Sequence, residues 1–245
     1  MQQLGMTTPV LIVIVYVLVC LAIEKIMKNR GAMSANLILA SWNGILALFS
    51  FYGAVRTVPH LLYRLITVSL EDSVCESPCT AFGSGAAGLA TQLFVLSKIP
   101  ELFDTVFMVV RKKPVLFLHW YHHITVLLYC WHSYITESST GLYFVAMNYS
   151  VHTAMYSYYC LQTLRLLPHW FPAYIITIEQ ILQMLIGAVI VLASAYFYAI
   201  GGAKYAPGKC NEHPYNIIAG GLMYGSYLYL FVQFAMRRFL KLKSQ

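Results

Sequence analysis

Seven stretches of the chain are almost wholly apolar over about the 20 residues that an α-helix needs to cross a bilayer. Of the 245 residues, 59% are hydrophobic and 10% are charged, whereas about a quarter of a soluble domain is charged. No internal repeat or linker divides the chain, so the sequence predicts one all-α integral membrane domain over 1–245. The predicted spans are 7–26, 36–55, 88–110, 115–135, 142–163, 172–198 and 215–236.

The loops on the two sides of the predicted membrane differ in charge. The first span lacks the basic start and cleavage site of a signal peptide, so we expect it to remain as a helix. One side carries eleven basic residues and the other four, which predicts a lumenal N-terminus and a cytosolic C-terminus. Net charge is +7, but these short clusters beside apolar spans suit an anionic ligand and not nucleic acid.

Three histidines interrupt the fourth predicted span. His119, His122 and His123 are spaced i, i+3 and i+4, which places all three imidazoles on one helical face. A single histidine in such a helix is more often a hydrogen-bonded core residue. Because ionisable groups are costly in a membrane, three on one face indicate a functional site.

The third predicted span carries a second polar group. Lys98, Glu101 and Thr105 form one stripe at i, i+3 and i+7, and we expect Pro100 to kink the helix. A purely structural Lys98–Glu101 pair remains an alternative. Asp104 needs its own partner, and we expect an imidazole, because a carboxylate fixes the tautomer of histidine and raises its basicity.

The fifth predicted span adds Asn148, His152 and Tyr156, and the sixth adds Gln180 and Gln183. The glutamine pair alone is equally typical of contacts between membrane helices. Counted from the cytosolic helix ends at 1.5 Å per residue, the polar groups lie roughly 6–16 Å deep. The sequence therefore predicts a pocket that opens to the cytosol and is apolar beyond, suited to a substrate with a charged head and a hydrocarbon tail. Basic residues at its mouth suit phosphate groups: Arg111, Lys112, Lys113, Arg165 and Arg238.

These blocks resemble the ELO/ELOVL family of very-long-chain fatty acid elongases, the condensing enzymes of the endoplasmic reticulum. The matching motifs are KIPELFDT at 98–105, HWYHH at 119–123, NYSVHTAMYSYY at 148–159 and TIEQILQ at 177–183. The run HWYHHITVLLYCW most resembles the subgroup that acts on medium to long saturated and monounsaturated acyl chains.

The resemblance implies that a long-chain acyl-CoA condenses with malonyl-CoA to give 3-oxoacyl-CoA, CoA and carbon dioxide, with no cofactor and no metal. It implies that spans two to seven form a barrel of two inverted three-helix units around an acyl tunnel. It also implies the bilayer and the other elongation-cycle enzymes (reductases and dehydratase) as partners, and it allows a homodimer.

The same resemblance suggests residue roles. A neutral imidazole can attack a thioester, so His122 is the expected nucleophile, forming an acyl-imidazole, and His119 with Asp104 behind it orients and tunes the site. The expected hydrogen bonds to the thioester oxygen come from His123 and Gln180, and those to the malonyl-derived enolate from His152 and Asn148. Further substrate contacts are expected from Lys98, Glu101, Tyr156 and Gln183.

Cysteines and lysines mark two features outside the pocket. Cys75, Cys79 and Cys210 lie in predicted lumenal loops, where one disulfide is expected, although spacing does not decide the pairing. The resemblance implies Cys75–Cys210 and a free Cys79. Lys241 and Lys243 form a K-x-K-x-x endoplasmic reticulum retrieval pattern, or equally an ordinary basic flank.

Product length is expected to be set by a steric stop at the lumenal end of the tunnel, because one added methylene gains only ~0.8 kcal/mol of burial. Tyr196, Phe197 and Tyr198 are the candidates.

Two other classes remain open. The first is a membrane di-iron desaturase or hydroxylase, because H-x-x-H-H also occurs in its histidine boxes. Such sites use about eight imidazoles. The whole chain has eight histidines, and several of them fall in loops, so too few remain for two irons. A single-metal site of three or four histidines remains possible. The second is a heptahelical receptor, whose ligand pocket usually lies on the outer side of the membrane.

Overall fold

The computed structural model describes residues 5–243, with side chains described as far as Arg237, and this part of the chain contains helices and loops but no strand. The α-helices are α1 Thr7–Met27, α2 Asn36–Thr67, α3 Leu70–Cys75, α4 Pro78–Ala81, α5 Gly85–Ser97, α6 Phe103–Val110, α7 Phe117–Ile135, α8 Gly141–Thr163, α9 Tyr174–Ile200 and α10 Pro214–Lys243.

Four segments are long and apolar enough to cross a membrane: α1, α2, α9 and Pro214–Arg237 of α10. Helices α7 and α8 are also long, with 19 and 23 residues, but they carry more polar side chains. The all-helical, multi-pass membrane architecture expected from the sequence is therefore confirmed. Seven crossings and the barrel arrangement remain predictions.

The second predicted span was placed too short. Helix α2 does not end at residue 55 but continues to Thr67. Its 32 residues measure roughly 48 Å, more than the ~30 Å of a hydrocarbon core. The polar residues of the extension contact the short helices that follow: Arg64 pairs with Glu76 at 2.5 Å, and His60 Nε2 lies 2.9 Å from the carbonyl oxygen of Ala81.

The third predicted span is divided. Helix α5 ends at Ser97, a 3-10 turn covers Pro100–Leu102, and α6 follows from Phe103. Proline lacks a backbone N–H and its ring clashes with the preceding turn, so the α-helical hydrogen bonds cannot continue through Pro100. The expected kink is thus confirmed, and it falls beside the charged residues of the KIPELFDT motif.

Close helix packing depends on glycines at two positions. Helix α2 packs along α8, and α9 packs along α10. A Cβ atom on Gly53 would lie 2.3 Å from the Tyr149 ring, and one on Gly187 would lie 2.2 Å from the Tyr224 ring. Small residues at helix–helix contacts allow this approach in membranes, where the hydrophobic effect does not drive helices together.

One end of the helix bundle is cross-linked. Cys75 and Cys210 form a disulfide across 135 residues of sequence, which is the pair that the resemblance implies, and Cys79 is a free, exposed thiol. We call this the disulfide end. The opposite, basic end carries Lys25 in the last turn of α1, and Arg111–Lys113 and Arg165 in loops.

Two carboxylates add further ties at the disulfide end. The backbone N–H groups of Tyr205, Lys204 and Ala203 donate to Glu71 at 2.8–2.9 Å, and they lower the pKa of this carboxyl group. The Oε2 atom of Glu212 accepts hydrogen bonds at 2.9–3.4 Å from the loop between α7 and α8, which supplies Ser138, Ser139 and Thr140.

Candidate active site

A cavity of about 520 Å³ opens at the basic end. Residues of α2, α6, α7, α8 and α10 line it, so it lies between helices that are distant in sequence. It brings together half of the residues expected to carry chemistry: Asp104, Arg111, Lys113, His119, His122, His123, His152 and Tyr156.

The three histidines of α7 share one face, as their spacing predicts. The His123 ring lies between the other two, with centroid distances of 4.5 Å to His119 and 5.5 Å to His122. His123 is buried, whereas His119 and His122 are partly exposed to the cavity. Within the described part of the chain, the His122 ring makes ring contacts but no hydrogen bond. Neither of its ring nitrogens therefore has a hydrogen-bond partner among these residues.

Tyr227 of α10 packs against His122. Its ring lies 5.0 Å from the His122 ring, and its hydroxyl lies 3.2 Å from the His122 carbonyl oxygen and 2.5 Å from Thr125 Oγ1. This residue was not predicted from the sequence. A single tyrosine in an apolar helix forms no periodic pattern. The chain has 19 tyrosines, so the sequence does not distinguish Tyr227 from the others.

The expected pairing of Asp104 with His119 is wrong. Asp104 Oδ1 accepts a hydrogen bond from the Trp42 indole at 2.7 Å, and Oδ2 accepts one from the Tyr156 hydroxyl at 2.7 Å. His119 Nε2 instead lies 2.9 Å from Thr105 Oγ1. Adjacent residues of α6 point about 100° apart, so Asp104 faces α2 and α8 while Thr105 faces α7.

The Lys98–Glu101 pair lies beside the cavity and not in its lining. Both residues are almost fully buried, at 2% and 3% exposure. Lys98 Nζ donates to both Glu101 oxygens at 2.7 and 2.9 Å and to Asn148 Oδ1 at 3.3 Å, and Ser97 donates to Glu101 at 2.8 Å. The Nδ1 atom of His152 lies 3.9 Å from the Glu101 carboxylate. The pair is thus a buried, neutral cluster that contacts the histidine site.

The glutamines of α9 do not reach the cavity lining. Gln180 donates to the Met155 sulfur at 3.3 Å, so it lies behind a residue that does line the cavity. Gln183 is buried. The expected hydrogen bond from Gln180 to a thioester oxygen therefore has no support in this arrangement.

The basic residues at the mouth differ in placement. Arg111 and Lys113 line the cavity. Lys112 and Arg165 are exposed and have positive φ angles of 53° and 60°, at the turns that end α6 and α8. The side chains of Arg238, Lys241 and Lys243 lie outside the described residues.

A second cavity, of about 380 Å³, lies toward the disulfide end. Helices α5, α7 and α8 line it with Phe94, Tyr129 and Phe144, and Phe82 lies in its wall between α4 and α5. On α7, His123 lines the first cavity and Tyr129 the second; on α8, His152 lines the first and Val145 the second. The two cavities are therefore separated by roughly 9–11 Å along each helix. The proposed length-setting residues Tyr196, Phe197 and Tyr198 line neither of these cavities, and Tyr196 is 54% exposed on the outer surface.

Among the described residues, no group of three or more histidine, cysteine or acidic side chains is arranged to hold a metal ion. What the arrangement offers is a set of imidazoles in a partly enclosed cavity with basic side chains at its mouth, and a second cavity toward the disulfide end whose wall combines aromatic side chains with Ser133, Glu137 and Ser138. The fold and this site define a multi-pass membrane protein with an imidazole-lined substrate pocket.

Comparison with known proteins gives the family. The sequence profile of the ELO (GNS1/SUR4) family matches residues 3–245. Very long chain fatty acid elongase 6 of Drosophila melanogaster is 42% identical over 226 residues, covering 92% of this chain and 70% of the relative. The protein of that name from Gallus gallus is 43% identical over 216 residues, covering 86% and 76%. Fatty acid elongase 3 of Trypanosoma brucei brucei is 36% identical over 260 residues, covering 96% and 84%. The chain belongs to the ELO family, as its motifs indicated.

Removing one member of the buried ion pair is expected to destabilise the protein strongly. Lys98→Met leaves the Glu101 carboxylate buried without its counter-charge, which costs about 3–5 kcal/mol. The double variant Lys98→Met with Glu101→Gln should recover most of this loss, because no uncompensated charge remains. Unfolding midpoints of the detergent-solubilised protein measure both effects.

Arg64→Met is the matched control, because it breaks the partly exposed Arg64–Glu76 pair at the disulfide end. A surface pair contributes about 0–1 kcal/mol. A Lys98→Met variant as stable as Arg64→Met would contradict the interpretation of Lys98–Glu101 as a buried ion pair.

Proposed function

We propose that this chain catalyses the condensing step of fatty acid elongation through an acyl group carried on His122. That it is a condensing enzyme of fatty acid elongation follows from membership of the ELO family. The observation that supports the covalent mechanism is the His122 imidazole, which faces the 520 Å³ cavity and has no hydrogen-bonded partner in the described part of the chain.

The proposed reaction has two steps. In the first, the unprotonated nitrogen of neutral His122 attacks the thioester carbonyl, the C–S bond breaks, and CoA leaves as a thiolate that takes up the proton lost from the other ring nitrogen. In the second, malonyl-CoA loses carbon dioxide, and the resulting enolate carbon attacks the acyl carbonyl. The acyl–nitrogen bond then breaks, which releases 3-oxoacyl-CoA, and the ring takes up one proton from solvent, which restores the neutral imidazole.

The neighbours of His122 suit supporting roles. The Nε2 atom of His119 is engaged by Thr105, and His123 is buried between the other two rings, so neither is as available for attack as His122. His152 lines the same cavity from α8 and is placed to stabilise the enolate. Asn148 is held by Lys98 through its carbonyl oxygen, which leaves its amide NH₂ as the group able to donate a hydrogen bond.

The substrate is proposed to extend through the bundle. Arg111 and Lys113 at the basic end suit the phosphates of CoA, and the apolar cavity toward the disulfide end suits the acyl tail. Relatives named very long chain fatty acid elongase support a long-chain acyl-CoA as the acyl donor. The histidine-motif resemblance favours saturated and monounsaturated chains.

The membrane arrangement is part of the proposal. Seven crossings, with spans two to seven around the tunnel, agree with cavities lined by helices from α2 to α10. The distribution of basic residues supports a cytosolic basic end and a lumenal disulfide end in the endoplasmic reticulum. The 3-oxo product requires reduction and dehydration, so reductases and a dehydratase are the proposed partners; a homodimer remains a prediction.

Replacement of His122 by alanine is expected to abolish condensation while the protein stays folded and inserted. Mass spectrometry of the wild-type protein after incubation with acyl-CoA alone should show an acyl adduct on His122, because the first step does not need malonyl-CoA. His132→Gln is the control. It changes a histidine of the same helix that bonds Asn216 outside the site, and glutamine can still donate that hydrogen bond. An adduct on another residue, or undiminished turnover of His122→Ala, would contradict the assignment.

Product length is expected to depend on Phe82, a bulky side chain in the wall of the apolar cavity. Phe82→Ala should extend the products by about one two-carbon cycle, because a burial gain of ~0.8 kcal/mol per methylene cannot stop elongation without a steric limit. Tyr196→Ala, on the outer surface, should leave the products unchanged. Gas chromatography of the products measures both variants. An unchanged profile for Phe82→Ala would place the limit elsewhere.

Retrieval to the endoplasmic reticulum is expected to need the C-terminal lysines. Lys241→Ser with Lys243→Ser should preserve insertion and activity but allow some protein to reach the Golgi, which microscopy of tagged protein detects. Lys25→Ser with Lys28→Ser, which removes two charges from the C-terminal end of α1 on the same side, should not. A C-terminal double variant that remained in the endoplasmic reticulum would show that another feature retains it.

A further inference from the structure

A chain of hydrogen bonds connects the outlying helix α1 to the imidazole of His119. The Tyr16 hydroxyl lies 2.7 Å from Thr105 Oγ1, and Thr105 Oγ1 lies 2.9 Å from His119 Nε2. Tyr16 and Thr105 are 7% and 3% exposed. Helix α1 is otherwise mostly exposed, and Tyr16 is one of its three buried residues. The one buried polar side chain at the middle of α1 thus points at Thr105, which contacts His119 of the catalytic cavity.

The number of protons in this chain limits it to two directions, and the surroundings of Tyr16 decide between them. Thr105 has one hydroxyl hydrogen and two hydrogen-bond partners, so it donates to one and accepts from the other. The Tyr16 ring packs among apolar side chains and the Cys20 thiol, which is a weak acceptor. A phenol is a better donor than an aliphatic hydroxyl, and here Thr105 is its one strong acceptor among the described residues. Tyr16 therefore donates to Thr105, and Thr105 donates to His119.

We infer that Tyr16 and Thr105 are positioning residues that hold His119 as one tautomer. An imidazole whose Nε2 accepts a hydrogen bond from Thr105 carries its proton on Nδ1. His119 then presents an N–H group to its surroundings in the cavity, and the lone pair of its other nitrogen is occupied. This inference rests on the proposed function, because it gives His119 the part of a hydrogen-bond donor beside the nucleophile His122.

The arrangement has a chemical consequence for the site. Three neutral imidazoles lie on one face of α7, and each has a lone pair able to attack a thioester. Occupying the lone pair of His119 leaves a donor on the same helical face as His122, across the His123 ring, and removes a competing nucleophile. Helix α1 takes part in positioning a residue of the catalytic cavity through this contact.

The first test measures turnover. Loss of one hydrogen bond is expected to lower kcat about 3- to 10-fold for Tyr16→Phe and about 10-fold or more for Thr105→Val, with KM for acyl-CoA within about 2-fold. Thr105→Ser keeps the hydroxyl and should retain kcat within about 2-fold. Tyr143→Phe is the control, because it removes a buried tyrosine–serine hydrogen bond of 2.6 Å at the disulfide end, and it should leave kcat unchanged.

The outcomes of this test distinguish a positioning role of Tyr16 and Thr105 from a structural role. Wild-type kcat in Tyr16→Phe would overturn the role of α1, even if Thr105→Val failed to fold. A Thr105→Ser variant as impaired as Thr105→Val would overturn the role of the hydroxyl. A loss of activity that only followed the amount of folded protein, with equal loss in Tyr143→Phe, would show a structural role and overturn the inference.

The second test reads the tautomer without catalysis. In the protein with ¹⁵N-labelled histidine, NMR should show Nδ1 of His119 protonated and Nε2 unprotonated, with the signals assigned through His119→Gln. Tyr16→Phe should shift this population toward a mixture. A protonated Nε2 in the wild-type protein would overturn the inference. Because this measurement needs no substrate, it stands even if no acyl adduct forms on His122, so the two proposals fail separately.

Discussion

The buried ion pair of Lys98 and Glu101 is the interaction on which the arrangement of the active site depends. Neither charge can reach water, so each needs the other, and the remaining hydrogen bonds come from Ser97 and Asn148. These partners belong to the end of α5, the 3-10 turn and α8. The pair therefore fixes three segments at one depth in the bundle, and His152 takes its place one helical turn from Asn148.

The same cluster lies at the boundary between the two cavities. The Lys98 ammonium lies 4.1 Å from the Phe94 ring centroid on the apolar side, and the Glu101 carboxylate lies near His152 on the imidazole side. An enzyme that joins a hydrocarbon chain to a polar thioester needs both surroundings within reach of one reacting carbon. The Lys98–Glu101 pair has no net charge. It therefore offers polar contacts to the imidazole cavity without placing a net charge beside the second cavity.

Periodic patterns in single helices were enough to predict much of this site. The shared face of His119, His122 and His123, and the break at Pro100, follow from the geometry of one helix and were confirmed. Partners on other helices could not be found in this way. Trp42 and Tyr227 are lone polar-edged residues in apolar helices, and a single residue has no period, so their contacts with Asp104 and His122 become visible only in the fold.

Charge patterns also misled in a specific way. The basic residues after position 55 made α2 end too early in the prediction, because charged residues normally mark the edge of a span. In the fold, Arg64 has a carboxylate partner on the segment between α3 and α4, so the helix continues beyond the hydrocarbon core. Similarly, Asp104 and Thr105 are neighbours in sequence, and only the direction of α6 decides which of them meets His119.

The ties at the disulfide end determine where the helices can move apart. The Cys75–Cys210 bridge and the carboxylates of Glu71 and Glu212 join the loops at that end. When rods are fastened at one end, a small change of angle produces a displacement that grows with distance from the fastening. Across the ~30 Å of a hydrocarbon core, the largest displacements fall at the basic end. Thermal tilting of the helices therefore widens and narrows the mouth of the 520 Å³ cavity, while the cavity toward the disulfide end keeps its dimensions.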